Sequence, residues 1–158
     1  MSGRRLPAGL AIAAGILSAL PWAAGQVAPA QRSYVGSEAC RECHPSEFER
    51  FMRNAKMASS FAKVRTLAKR LTDTEMRGCF RCHTTGYGEP GGFRSERETP
   101  HLANAGCEVC HGPGSAHVAS AEPGHIKRHV TLEDCMRCHD EGRVVAFRFR
   151  PLMYGGAH

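Results

Sequence analysis

Large apolar side chains are scarce in this 158-residue chain. Aromatic residues make up 7 % of it, and its one tryptophan, Trp22, closes the only long apolar run, Leu6 to Trp22. The remainder has too little apolar material for an ordinary hydrophobic core. Other absences exclude chemistry. There is no cluster of paired carboxylates, no Gly-rich phosphate loop and no Ser/His/Asp set. Basic and aromatic residues are not interleaved, which argues against nucleic acid as a partner. No cysteine lies in the first 25 residues, which disfavours a lipid-anchored start.

The apolar run follows Arg4 and Arg5 and precedes Ala23-Ala24-Gly25. That order predicts a signal peptide over 1–25, cleaved before Gln26, and one domain over 26–158. An uncleaved anchor is the alternative, because the run is near the ~17-residue lower limit for a span. Pro7 and Pro21 at its edges favour cleavage.

What the chain does have is cysteine in one pattern. C-x-x-C-H occurs four times: Cys40 and Cys43 with His44, Cys79 and Cys82 with His83, Cys107 and Cys110 with His111, Cys135 and Cys138 with His139. All eight cysteines are used, so none is left for a disulfide. This is the attachment signature of c-type haem. The thiols form thioethers with the porphyrin vinyl groups, and the adjacent imidazole becomes the proximal iron ligand. Two four-thiolate zinc sites or a thioredoxin-like pair are the rival readings. Neither requires a histidine after every second cysteine. The cofactor expectation is four haem c. Covalent attachment takes place outside the cytoplasm, in agreement with the leader.

Four haems in about 130 residues must supply much of the apolar packing themselves, which couples attachment to folding. They also change the charge. The formal net charge is +6. Without Arg4 and Arg5, and with two propionates per haem, it falls to about zero when oxidised and about −4 when reduced. The basic residues are therefore expected to face propionates.

The pattern along the domain predicts a mainly α fold with much irregular loop. Pro45 can open a helix. Phe48, Phe51, Met52, Ala55, Phe61, Val64 and Ala68 recur at helical spacing, which predicts one helix over about 45–70, with Phe48, Phe51 and Phe61 against haem faces. Thr72 to Glu75 resembles a capping box leading into the second motif. Residues 84–100 are Gly-, Thr- and Pro-rich loop, with a short hairpin expected at Pro90-Gly91-Gly92. Thr131 opens a short helix into the fourth motif. Residues 144–150 alternate apolar and basic, as a strand or strap.

Three stretches carry a wider resemblance: Tyr34 to Ser37 with the first motif, CFRCHTTGY from Cys79 to Tyr87, and NAGCEVCHGPGSAH from Asn104 to His117. Over about Tyr34 to Asp140 the chain resembles the cytochrome c-554 family of tetrahaem proteins. The resemblance implies a largely helical periplasmic electron carrier with haems in close parallel and perpendicular pairs. The best-known members take electrons from hydroxylamine oxidoreductase. It also implies three bis-histidine haems and an open, five-coordinate one on His83. The chain departs from the family in being shorter after the fourth motif. It also carries Lys56-Met57 where members often have a histidine. Some related multihaem sequences place a methionine there, which makes Met57 a candidate ligand.

Five histidines remain for distal positions. His117 lies in the family-like stretch and is expected on the iron of the first motif. His158 and His129 are further candidates, whereas His101 and His125 are expected to face solvent or propionates. These features point to electron transfer between redox partner proteins, with the protein setting potentials through ligands, burial and hydrogen bonds. Two alternatives stay open. One is an enzyme reducing a small nitrogen oxide or peroxide at an open haem. The other is a haem subunit of a membrane or extracellular assembly.

Overall fold

A computed structural model describes residues 32–140. The leader, the 144–150 segment and His158 lie outside the described residues. Among those described there are helices, turns and loop, and no strand. None of the helices is long and apolar enough to cross a membrane.

The first helix, α1 (Pro45–Asn54), starts on proline, whose missing N–H costs nothing at that position. It buries Phe48 and Phe51. The single helix expected over 45–70 is broken. Ala55 is extended (φ −83°, ψ 116°), and a 3-10 turn, Lys56–Ser59, separates α1 from α2 (Phe61–Leu67). Apolar spacing persisted across the break because both pieces bury one face, so periodicity could not show it. The start of α2 is capped from a distance: the Asn104 side chain accepts from the Phe61 N–H at 3.0 Å.

Helix α3 (Asp73–His83) opens with the expected capping box. Thr72 accepts from the Glu75 N–H, and the Glu75 carboxylate accepts from the Thr72 N–H at 2.8 Å. Three short helices follow: α4 (Glu108–His111), α5 (Ser115–Ser120) and α6 (Leu132–Met136). A second capping box, Thr131 with Asp134, starts α6.

The apolar core is a compact cluster built where α2 packs on α3. Phe61, Val64, Phe93, Leu102 and Ala103 form it, with Phe80, Tyr87, Tyr34, Met76 and Cys79 against it. The Phe93 ring lies 5.5 Å from Phe61 and 5.2 Å from Phe80, at tilted and edge-on angles that favour ring contact. Phe61 thus meets protein aromatics, where a haem face was expected. The reason is Phe93, a loop residue outside any periodic pattern.

The loop from Thr84 to Gly106 is held by side chain-to-backbone bonds instead of a sheet. Buried Thr85 donates to the Asn104 carbonyl at 2.6 Å and accepts from the Gly106 N–H at 2.9 Å. Its backbone N–H and C=O bond Leu102 and Phe93. The hairpin expected near Pro90 is a pair of tight turns, 86–89 and 89–92, with Gly86, Gly88 and Gly91 at positive φ. Gly92 has no room for a side chain, since a Cβ there would collide with the Gly86 carbonyl oxygen.

Thr85→Val keeps the shape and removes both hydroxyl bonds, stranding the buried Gly106 amide. It should lower holoprotein stability by about 1–3 kcal/mol in a denaturant titration. An unchanged midpoint would show that Thr85 does not hold the loop.

Candidate haem-attachment site

In each motif the histidine closes a helical turn. Its backbone N–H bonds the carbonyl of the first cysteine in the first, third and fourth motifs, at 2.9, 3.1 and 2.9 Å. The second motif lies wholly within α3. Positions i, i+3 and i+4 of such a turn share one face. The x-x spacing therefore sets two thiols and an imidazole toward the same side, as one porphyrin edge and its iron require.

The turns meet in pairs through their cysteines. Cys40 and Cys107 lie close enough to shift each other's acidity, as do Cys82 and Cys138. Cys135 lies within electrostatic reach of Cys110, where α4 packs on α6. Pairing splits the acidities. Cys40 is pushed up by the neighbouring Cys107 thiol and by burial. Cys107 is lowered to about 6 by the neighbouring Cys40 thiol, which with help from Ser37 outweighs its burial. Burial pushes Cys110 up to about 11 and Cys138 up to about 12, with neighbouring thiols adding to both.

Three imidazoles have Nδ1 committed to carbonyl oxygens: His83 to Ser60 at 2.9 Å, His111 to Lys127 at 2.7 Å and His117 to Glu122 at 2.9 Å. A carbonyl can only accept, so Nδ1 carries the proton and Nε2 keeps its lone pair for a metal. Ser60 and Lys127 each bind twice. The Ser60 hydroxyl also donates to the His83 carbonyl, and the Lys127 N–H to the His111 carbonyl.

The His44 and His117 rings are 6.3 Å apart between centres and 22° from parallel. Two metal–nitrogen bonds of ~2 Å each, with the two ring radii, fill about that span. The fold thus brings together the proximal imidazole of the first motif and the distal candidate from α5. The other candidates are less engaged. Met57 is half-buried on the 56–59 turn, and Lys56 and His129 are exposed. His101 packs over Gly36, and His125 bonds the Ser120 hydroxyl at 2.8 Å.

The donor set suits covalent haem. Cysteine pairs and Nε2-directed imidazoles recur on one-sided turns, and a cavity of about 400 Å³ opens beside Cys138. Arg77, Arg81 and Arg137 line it together with Tyr34 and Tyr87. The zinc alternative needs thiolates gathered in fours. All eight cysteines are among the described residues, and no three His, Cys, Asp or Glu side chains there converge on a metal position.

Sequence reasoning missed Glu108, the second residue of the third motif. Its carboxylate is 2 % exposed. It accepts from the amides of Val35 at 3.0 Å, Gly36 at 2.8 Å and Gly114 at 2.7 Å. A glutamate inside a motif reads as a solvated x position, and nothing local distinguishes it. Ser60 and Asn104 were missed for the same reason.

Residues 39–112 match the family described as Cytochrome c554 and c-prime. Over 115 residues the chain is 31 % identical to cytochrome c-554 of Nitrosomonas europaea, covering 65 % of this chain and 49 % of that protein. It thus spans about half the length of the curated relative it matches. No solved structure matches.

Proposed function

Because residues 39–112 belong to the cytochrome c554 and c-prime family, which makes the chain a c-type cytochrome, we propose that it is an exported carrier with four haem c groups, passing electrons between redox proteins. The observation that best supports this reading is the order in which the cysteines meet. Cys40 of the first motif lies near Cys107 of the third, Cys110 of the third near Cys135 of the fourth, and Cys138 of the fourth near Cys82 of the second. The attachment turns form one unbranched series, first–third–fourth–second. Its two ends are the places for donor and acceptor.

Each haem, when bound, supplies an iron that changes by one electron between ferric and ferrous states. The chain's own residues tune and orient. Ser60 and Lys127 carbonyls fix the tautomer and direction of His83 and His111, and such outer contacts strengthen an imidazole as a ligand. His44 and His117 would hold the iron of the first site between them. Arg77, Arg81 and Arg137 offer guanidinium forks to propionates around the cavity beside Cys138. On the second motif, the aromatic cluster packed on Cys79 and Phe80 excludes water from one side. The 1–25 leader supports export to the periplasm.

Intact mass of the purified protein tests the haem number. The expected product starts near Gln26 and keeps four porphyrins after acid extraction of loose haem. Zinc, or fewer than four adducts on the wild-type chain, defeats the reading.

His117→Ala tests the ligand. Electron paramagnetic resonance of the oxidised variant should lose one low-spin signal and gain a high-spin one, with haem number unchanged. Retention of every wild-type low-spin signal would remove His117 from the first site.

A further inference from the structure

Lys127 lies in the loop between the third and fourth motifs, two residues past the 3-10 turn Pro123–His125. All its polar groups are spent on those two motifs. Its backbone N–H donates to the His111 carbonyl at 3.1 Å, and its own carbonyl accepts from His111 Nδ1 at 2.7 Å. Two bonds between one pair of residues fix both the direction of the imidazole and the place of the loop beside it. The side chain has a different partner. Its ammonium donates to both oxygens of Asp134, at 2.6 and 2.5 Å.

Asp134 immediately precedes Cys135. Its carboxylate also accepts from the Thr131 N–H at 2.8 Å and the Thr131 hydroxyl at 3.0 Å, at the start of α6, the helix that carries Cys135. An isolated surface ion pair contributes little, because water competes and two side chains must be ordered. This pair differs. The Asp134 side chain is only 12 % exposed, and its two oxygens take four hydrogen bonds from Lys127 and Thr131. The backbone of Lys127 is already fixed by His111, so the chain between is clamped at both ends. The clamp sits where the two attachment turns meet. There α4 packs on α6, and Cys110 lies within electrostatic reach of Cys135, Asp134 and Lys127.

We propose that Lys127 is a positioning residue for electron transfer between the third and fourth sites. It aims the proximal imidazole of the third and, through Asp134, holds the turn of the fourth in register with it. This rests on the reading that both motifs carry haem. The rate of a hop between two porphyrins falls steeply with the gap between their edges, so the register of neighbouring attachment turns governs it. Supporting contacts of this kind keep a site in its productive geometry. In the series first–third–fourth–second, the third-to-fourth step is the middle one, which every electron crossing the molecule takes.

The holoprotein carrying Lys127→Met together with Asp134→Asn tests it. The double change removes one charge of each sign and leaves the net charge as it was. The new amide keeps an oxygen for the Thr131 N–H, so the start of α6 survives and only the clamp is cut. Nuclear magnetic resonance of the partly reduced protein reads electron exchange among the haems. Electron paramagnetic resonance of the oxidised protein reads ligand geometry. In the wild type, exchange should average the haem methyl resonances over all four sites. In the double variant it should slow at the middle step and separate them into two sets, first with third and fourth with second. One low-spin signal, other than the one lost in His117→Ala, should broaden. Lys127→Arg keeps the charge and the reach to Asp134, and should keep wild-type exchange and line shape. Lys127→Met alone decides the matter if the double variant does not accumulate, with the same slowing expected. Wild-type exchange and line shape in the Met variants would overturn the proposal even if the thermal midpoint falls, since that marks a merely structural contact. An Arg variant as slow as the Met variants would overturn it too, as would two separate sets already present in the wild type. Haem number measured on the same samples separates the two levels. Fewer than four haems in the wild type defeats the haem reading and this inference with it. Four haems with unaltered exchange in the variants defeats this inference alone.

Discussion

Three backbone amides converge on the Glu108 carboxylate, and through them the segment before the first motif is fastened to the third. Much of the rest depends on that contact. It fixes Cys40 against Cys107, and so brings together two attachment turns far apart in the chain. It also orients Gly114, from which α5 starts and carries His117 toward His44. A reciprocal pair of bonds between Ser33 and Ser115 closes the same seam at its outer edge.

The protein has no sheet among its described residues to hold distant segments in register, and single polar side chains take over that task. Thr85, Asn104, Ser60 and Glu108 each bond backbone groups at least 19 residues away. A buried hydroxyl or carboxylate bonded at several points is costly to disrupt, because each lost partner strands another polar group. Such bonds also suit a chain that must wrap flat prosthetic groups. They position loops at defined points without filling the space between them, as a packed apolar core would.

The apolar core is correspondingly local. It lies around α2, α3 and the loop bearing Phe93 and Leu102, next to the second motif. The first, third and fourth motifs are supported by hydrogen bonds and by one another.

The sequence by itself determined the local chemistry. The four motifs, the Thr72 capping box and the proline that opens α1 are all contained within a few neighbouring residues. Each follows from backbone geometry at short range, so pattern alone reveals it. The break at Ala55 did not show, because apolar spacing continues across a change of direction. The partnership of the turns, the place of Phe61 among protein rings and the approach of His117 to His44 were decided by the tertiary structure. So was the burial of Glu108. A carboxylate between two cysteines looks the same in sequence whether water or three amides surround it. Only the return of a segment some 70 residues away makes the difference.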